Sequence, residues 1–247
     1  MKNGEKSFNK LFELVELIAQ SHNGMTGKDL AEISQIPVST TFRMLKFLSD
    51  HDFLRVDRGI YTLGVGFVRW GNVARKQNPL IQAARPVLKE LAYQTQETVH
   101  LAKLQGDKII YIDKVEGSRP IRMNSLIGKL NPLYCTGIGK AIFAFQTPEV
   151  QSRLLENIEY TAYTNTTITD EAAMRCELEL IRQRGFAIDN CEHEDWVYCI
   201  AAPILSVRGE CVAGISISGA EVYMKGSSDK FTRLITAASK RISENLS

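Results

Sequence analysis

The chain has 247 residues, of which 44% are hydrophobic and 23% are charged, and its formal net charge is +2. This length suits two domains, and this composition excludes a chain too polar to bury a core. No apolar run approaches the roughly 18 residues that cross a bilayer, and residues 1–6 lack the apolar stretch of a signal peptide. We therefore expect a cytoplasmic protein with no membrane partner.

The cysteines argue against a disulfide framework and against a zinc site. Their number is odd, none forms a C-x-x-C pair, and no spacing typical of zinc ligands stands out. This usage is typical of a reducing compartment. We expect neither a metal ion nor another cofactor. The five residues are Cys135, Cys176, Cys191, Cys199 and Cys211.

The first 62 residues show the periodicity of three short helices followed by two strands. Residues 8–20 repeat apolar side chains at helical spacing. Thr26 can cap a second helix, in which Asp29 faces the positive end of the helix dipole. Pro37 should end that helix, because proline cannot donate an intrahelical hydrogen bond.

A third helix is predicted at about residues 40–50, with Ser39 as its amino-terminal cap. One side of this helix is apolar and should face the core; it carries Val38, Phe42, Leu45 and Leu48. Hydroxyl groups and cations occupy the opposite face, and such groups bind phosphates and the edges of guanine. The pattern favours a helix that enters a DNA groove.

Residues 53–56 and 59–62 can pair as a hairpin, which would carry Arg55 and Arg58 at its tip. The whole series predicts a winged helix-turn-helix domain. A helix with two outward cations is ordinarily just a solvated face, and only the agreement of several elements favours DNA binding. Residues 1–78 are only mildly basic, with 11 Lys or Arg and 8 Asp or Glu. The predicted DNA contacts are Thr26, Ser39, Thr40, Thr41, Arg43, Lys46, Arg55 and Arg58.

After a Gly-rich segment of helical period, residues 79–95 predict a helix in which Pro86 implies a kink or a restart. Strands are predicted at 98–104, 108–115, 199–205 and 211–218, and helices at 137–145, 148–157, 170–184 and 229–245. This order indicates an α+β domain with a mostly antiparallel sheet. We expect a DNA-binding domain at 1–63, a linker helix at 64–78 and a second domain at 79–247.

With these landmarks, the chain resembles the IclR family of bacterial transcription regulators over nearly its full length. The segment Asn131-Pro132-Leu133-Tyr134 makes it most similar to the branch that regulates sugar-acid catabolism, to which 2-keto-3-deoxygluconate repressors belong. The residues that carry the resemblance lie at 97–101, 127–134, 136–141, 184–189 and 199–204.

The resemblance implies a GAF/PAS-like effector domain that binds a small organic acid, either a sugar acid or a keto acid. It also implies a homodimer or a dimer of dimers on a palindromic DNA operator. The family's ligand positions correspond here to Gly137, Ile138, Asp189, Cys199, Ser216 and Ser218.

Physical chemistry makes these positions reasonable for an acid. The turn at Gly137 opens a helix, whose free N–H groups bind a carboxylate well. Ser216 and Ser218 share one face of a strand, and Asp189 suits ligand hydroxyls. Structural alternatives remain open: the glycine can simply permit close packing, Cys199 can be a small buried hydrophobe, and the serines can bond neighbouring backbone.

Two histidines and one tryptophan are further candidates near this site. His100 and His193 can each belong to a pocket or can be satisfied structural histidines. Trp196 stands where many members of the family have glycine. Its ring can narrow the pocket, stack on a sugar or pack outward.

The leading hypothesis is a ligand-responsive DNA-binding regulator, with repression as the expected sign. An enzyme that uses Cys199 or Cys135 as nucleophile, with His100 or His193 as base, is a second hypothesis. No signature unites such groups, and the apolar run 199–203 favours an inert thiol. A third hypothesis is a small-molecule sensor that acts through protein partners without DNA.

Overall fold

The computed structural model describes residues 3–120 and 125–246. The chain divides after Gln77 into two compact units. The first contains α1 (Asn3–Gln20), β1 (Met25–Thr26), α2 (Gly27–Ser34), α3 (Val38–Asp50), β2 (Leu54–Asp57), β3 (Ile60–Leu63) and α4 (Val65–Gln77). Its strands form an antiparallel sheet in the order β1-β3-β2. The predicted winged helix-turn-helix is confirmed.

The turn between α2 and α3 corrects the predicted cap. Helix α3 begins at Val38, so Ser39 lies exposed within its first turn, and Pro37 takes the cap position without a side-chain hydrogen bond. The carbonyl of Pro37 accepts hydrogen bonds from the N–H groups of Thr40 and Thr41 at 2.8 and 3.0 Å. Proline suits a helix start, because the N–H that it lacks would have no partner there.

The buried stripe of α3 also differs from the predicted one. Val38 and Phe42 are 57% and 40% exposed, whereas Thr41 is fully buried. The hydroxyl of Thr41 donates to the carbonyls of Ile36 and Pro37, each at 3.3 Å. The predicted contact of Thr41 with DNA is therefore wrong. Its hydroxyl group supplies a hydrogen-bond donor to the carbonyl groups of the turn between α2 and α3. The residues of α3 that point into the core are Thr41, Met44, Leu45 and Leu48.

The Gly-rich segment after the wing forms α4, which packs within the first unit. Gly66 N donates to the carbonyl of Asp52 at 2.9 Å, and a Cβ atom on Gly64 would lie 2.3 Å from the same oxygen. The ring of Phe53 meets those of Phe67 and Trp70 edge-on, at centroid distances of 5.0 and 4.4 Å. The glycines thus allow the chain to turn tightly against 52–53.

The second unit is an α+β domain with an antiparallel sheet, as predicted. Its six strands follow the order β6-β5-β4-β9-β8-β7, and every neighbouring pair is antiparallel. The strands are β4 (Thr98–Gln105), β5 (Lys108–Val115), β6 (Leu130–Pro132), β7 (Ala187–Asn190), β8 (Val197–Leu205) and β9 (Cys211–Ala220). The short strands β6 and β7 were not among the strands expected from the sequence.

Helices cover both faces of this sheet. They are α5 (Pro79–Thr95), α6 (Gly137–Ala144), α7 (Pro148–Asn157), α8 (Glu171–Arg184), the single turn α9 (Glu221–Met224) and α10 (Ser228–Asn245). Helix α5 runs through Pro86 without a restart. Among the described residues, no helix is long and apolar enough to span a bilayer.

The two faces of the sheet differ in chemistry. Ile200, Ile215 and Ile217 point into a core shared with α5 and α10. Alternate residues of the same strands face α6, and there Ser216 and Ser218 are buried in place of aliphatic side chains. The α6 face of the sheet is therefore the one that can hold a polar ligand.

The buried hydroxyl of Thr41 gives a test of the fold. We expect Thr41→Val to lower the free energy of unfolding of the first unit by about 1 kcal/mol, because the turn loses a hydrogen bond at nearly constant volume. Urea unfolding followed by Trp70 fluorescence, in a Trp196→Phe background, measures this change. Thr40→Val is the control, and an equal loss in the two variants would contradict the role of Thr41.

Candidate functional site

The first candidate site is the surface formed by α3 and the wing. Ser39, Arg43 and Lys46 are exposed on α3, and Lys46 Nζ lies 3.0 Å from the Asp50 carboxylate in an exposed ion pair. Such surface pairs contribute little to stability, so Lys46 can exchange Asp50 for a phosphate. Thr40 is half-buried beside them.

The wing presents its cations at a tight turn. Arg58 and Gly59 have φ values of 49° and 80°, as a two-residue hairpin turn requires, and Asp57 pairs with Ile60 across it. Arg55 and Arg58 are both exposed. The structure therefore places cations on both elements that a winged helix-turn-helix directs at DNA.

Thr26 has a structural role that the sequence predicted. Its Oγ1 accepts a hydrogen bond from Asp29 N at 3.2 Å and donates to Asp29 Oδ2 at 2.8 Å, so it caps α2. A contact between Thr26 and DNA stays a prediction.

The second candidate site is a cavity at the amino terminus of α6. Thr136 caps this helix by accepting from Gly139 N at 3.2 Å. Gly137 approaches the sheet so closely that a Cβ atom there would lie 3.2 Å from Cys199 Cβ and 3.4 Å from Asp189 Cβ. The cavity beside this turn, here called the effector pocket, measures about 40 Å³. All six predicted effector residues line it: Gly137, Ile138, Asp189, Cys199, Ser216 and Ser218.

His100 organises the hydroxyl groups of the effector pocket. Its Nδ1 lies 3.4 Å from the Oγ atoms of both Ser216 and Ser218, and its Nε2 lies 2.7 Å from Ser125 Oγ. The ring stacks on Tyr111 at a centroid distance of 4.7 Å. Burial, with a smaller effect of the Lys114 charge, lowers the pKa of His100 to about 3. The imidazole is therefore neutral, so one ring nitrogen donates a hydrogen bond to the neighbouring serine hydroxyls and the other accepts one.

Asp189 brings a carboxyl group into the same space. Its Oδ1 accepts a hydrogen bond from Glu192 N at 2.7 Å, and the residue is only 2% exposed. Burial raises the pKa of Asp189 to about 7, although the Glu192 N–H and the Lys140 charge act in the opposite direction. Near neutral pH this carboxyl group can therefore accept or donate a hydrogen bond.

A buried ion pair holds the wall of the pocket in place. Lys140 on α6 is 1% exposed, and its Nζ lies 2.5 Å from Glu192 Oε1 and 3.5 Å from Glu177 Oε1. Glu177 in turn lies 2.9 Å from Arg184 Nη2. Because Glu192 also donates its N–H to Asp189, this network ties the loop 191–196 to both α6 and β7.

Several pocket residues escaped the sequence analysis, and two histidines entered only as weak candidates. Both His100 and His193 line the pocket. Tyr111 lies opposite Ala102, two residues along β4 from His100, and Thr136 carries the signal of a helix cap, whereas no local signal marks the others. The additional lining residues are Tyr111, Ser125, Thr136, Glu194 and Val197.

Trp196 does not reach the pocket. Its side chain is 76% exposed, and its φ of 68° lies in the left-handed region that favours glycine. Of the three possibilities raised from the sequence, the structure shows outward packing.

Burial disfavours the thiolate form of the two cysteines that were candidate nucleophiles. Burial raises the pKa of Cys199 well above its ordinary value, and the Asp189 charge raises it further. Burial also raises the pKa of Cys135. A nucleophilic thiolate requires the opposite shift, so these environments do not support the enzyme hypothesis. Among the described residues, no His, Cys, Asp and Glu side chains form a group of three suited to a metal ion.

Comparison with known proteins identifies both parts of the chain. Residues 7–58 match the model of the IclR helix-turn-helix domain, and residues 73–244 match that of the C-terminal part of bacterial IclR transcriptional regulators. The transcriptional regulator BhcR of Paracoccus denitrificans is 34% identical over 90% of this chain and 80% of its own length. The regulator KdgR of Escherichia coli is 30% identical over 96% of this chain and 91% of its own length.

Solved structures give the same result. The IclR protein of Thermotoga maritima is 30% identical and has a TM-score of 0.77, with 98% of this chain and 99% of that one covered. The C-terminal domain of E. coli KdgR is 34% identical, with a TM-score of 0.62 over 68% of this chain and 99% of that one. Both BhcR and KdgR are transcriptional regulators. The chain belongs to the IclR family of bacterial transcriptional regulators and binds DNA through its helix-turn-helix domain.

Proposed function

We propose that this chain is a dimeric regulator of an operon for sugar-acid catabolism and that it acts in the cytoplasm. A small organic acid bound in the effector pocket controls its affinity for a palindromic operator. Repression is the expected sign. The observation that carries the proposal is the convergence of Gly137, Asp189, Ser216 and Ser218 on one cavity at a helix amino terminus. We assign DNA binding to residues 1–63, transmission to 64–78 and acid binding to 79–247.

The chemistry of the pocket supports an acid with hydroxyl or keto groups. The N–H groups of Gly137 and Ile138, at the positive end of α6, can hold a carboxylate without a cation. Ser216 and Ser218 supply hydroxyl donors, and Asp189 can accept from a ligand hydroxyl. A sugar acid offers this combination of groups.

Two comparisons point in the same direction. KdgR of E. coli is one of the relatives, and its C-terminal domain aligns with this one at 34% identity. An IclR homolog from Microbacterium hydrocarbonoxydans, which shares the fold with a TM-score of 0.83 at 20% identity, was solved with 4-hydroxybenzoate. That ligand is a small organic acid, the class that we propose here.

The size of the pocket gives the acid a means of control. A cavity of about 40 Å³ holds little more than water, whereas ligand pockets measure roughly 300–1,000 Å³. A sugar acid can therefore enter only if the wall moves, and the loop 191–196 is the segment that we expect to move. Binding thus selects a second conformation. Its effect would reach the DNA-binding helices along the chain, which passes from α4 into α5 at Asn78.

Exposed apolar side chains support the dimer. Phe8 and Phe12 on α1 are each 66% exposed, and α4 exposes Val68 and Trp70 by 65% and 58%. These two helices belong to the unit that carries the recognition helix. A second copy of the chain that covers them would bring two recognition helices together, as a palindromic operator requires.

Arg43 tests the recognition surface. We expect Arg43→Ala to weaken binding to the DNA upstream of the chain's own gene by roughly 10- to 100-fold, because a bidentate guanine contact is worth about 1–3 kcal/mol. Fluorescence anisotropy at fixed salt concentration measures this change. Arg153→Ala, an exposed arginine on α7, is the control, and equal operator affinity of wild type and Arg43→Ala would refute the assignment of α3.

Phe12 and Val68 test the dimer surface. Sedimentation velocity should show wild type as a dimer or a dimer of dimers, whereas Phe12→Glu and Val68→Glu should each lower the assembly state, because a buried unpaired carboxylate is costly. Tyr93→Glu changes a still more exposed aromatic residue in the second unit and serves as the control. Unchanged assembly of both α1 and α4 variants would place the dimer contact elsewhere.

A further inference from the structure

The effector pocket already contains a buried carboxyl group, which sets a condition on any acid that enters it. Asp189 is 2% exposed and lies on β7 beside the amino-terminal turn of α6. An acid bound at that turn places a second carboxylate in the same small space. Two carboxylates held close together away from water do not both stay ionised, so they retain one proton between them.

The cations around Asp189 do not remove this conflict. Lys140 is the cation whose charge acts on Asp189, and it is engaged 2.5 Å from Glu192 Oε1. The adjacent network of Glu177 with Arg184 is likewise paired internally. Lys114 lies near His100, where its Nζ donates to the carbonyl of Ser125 at 3.0 Å. No cation among the described residues of the pocket lining offers a direct partner for a second carboxylate.

Two further cations act on residues of the loop, Lys129 on His193 and Lys225 on Cys191, but neither lines the pocket. The remaining titratable neighbours are anionic or neutral. Glu192 raises the pKa of Asp189 through its charge, and Glu194 adds a further carboxylate to the pocket lining. The groups facing Asp189 from the other elements are the neutral side chains of His100 on β4, Tyr111 on β5, Cys135 before α6, Cys191 and His193 in the loop, and Cys199 on β8. None of these can neutralise an incoming acid.

The hydrogen bonds indicate which carboxyl group keeps the proton. The ligand carboxylate would accept from the two free N–H groups at the start of α6, those of Gly137 and Ile138. Asp189 accepts from one N–H group, that of Glu192 at 2.7 Å, and from the thiol of Cys199, which is a weak donor. Carboxylates with stronger donors ionise more easily. A protonated Asp189 gains an O–H group that can donate to the acid or to its keto or hydroxyl oxygen.

We propose, on the basis of the proposed function, that an acid effector binds together with one proton from solvent, that Asp189 holds this proton, and that effector affinity therefore falls as the pH rises above neutrality. In the unliganded protein burial already raises the pKa of Asp189 to about 7, and the ligand charge raises it further. Below about pH 6 Asp189 carries its proton before binding, so affinity is constant there. Above pH 7 the proton must be taken up on binding.

The test measures proton uptake directly. Titration calorimetry of wild type with 2-keto-3-deoxy-D-gluconate, D-gluconate and 4-hydroxybenzoate is run in phosphate and in Tris, whose ionisation enthalpies differ. For an acid that binds, we expect uptake near zero at pH 6, about one proton at pH 8, and a Kd about tenfold higher at pH 8 than at pH 6. Asp189→Asn, which is neutral at every pH, should bind with a Kd that does not change over this range.

Asp195→Asn is the matched control, because it makes the same chemical change on an exposed neighbouring residue outside the pocket. It should keep the pH dependence of wild type. If Asp189→Asn does not fold, proton uptake by wild type decides alone. Binding of any of these acids without proton uptake at pH 8 would overturn this inference and leave the proposed function intact. Failure of all three acids to bind at either pH would contradict both the inference and the effector part of the proposed function. The DNA-binding part would stand or fall with the operator affinity of Arg43→Ala.

Discussion

The second unit depends on the direct contact between the first turn of α6 and the sheet. No side chain separates Gly137 from β7 and β8, and a Cβ atom on Gly139 would lie 2.3 Å from the carbonyl oxygen of Leu133. This approach points the unpaired N–H groups of a helix at a sheet face that carries serines in place of aliphatic residues. The packing itself thus creates the pocket that we propose for an anion, without a basic side chain.

A buried charge network holds that geometry. The ammonium group of Lys140 has no access to solvent at 1% exposure, so it needs the carboxylate of Glu192 beside it. The N–H group of Glu192 in turn holds the carboxyl group of Asp189 by a hydrogen bond. Buried ion pairs add little net stability, but removal of one partner is costly. We therefore infer that this pair holds the loop 191–196 in one defined conformation when no ligand is bound. A bound acid would have to exchange that conformation for another.

Much of the architecture could be predicted because local chemistry determines it. Threonines 26 and 136 cap their helices, and the strands β4, β5, β8 and β9 follow from their β-branched and alternating residues. The prediction of the buried face failed in α3, where two neighbouring faces of the helix carry nearly as many apolar residues. In α3 the sequence favoured Val38 and Phe42 as core, whereas the hydroxyl of Thr41 is buried because the turn at 36–37 accepts its hydrogen bonds.

The effector pocket was predicted less completely, since its residues come from distant parts of the chain. His100 and Ser216 are 116 positions apart and meet only because β4 and β9 are neighbours in the sheet. The short strands β6 and β7 gave no periodic signal, so the placement of Asp189 opposite α6 could not be derived from spacing. The raised pKa of Asp189 is likewise a product of burial, which a residue pattern does not reveal.

We propose that an acid in the effector pocket controls operator binding. The most direct test is a reciprocal titration at pH 6, in which operator affinity is measured with and without saturating 2-keto-3-deoxy-D-gluconate, and acid affinity with and without operator. We expect the same factor in both directions, at least about fivefold, because linkage between two sites is reciprocal. Gly137→Ala should bind operator like wild type but lose the response to the acid, because its methyl group would lie 3.2 Å from Cys199 Cβ and 3.4 Å from Asp189 Cβ, and both residues line the pocket. An acid that binds the wild-type protein while leaving its operator affinity unchanged would contradict the account.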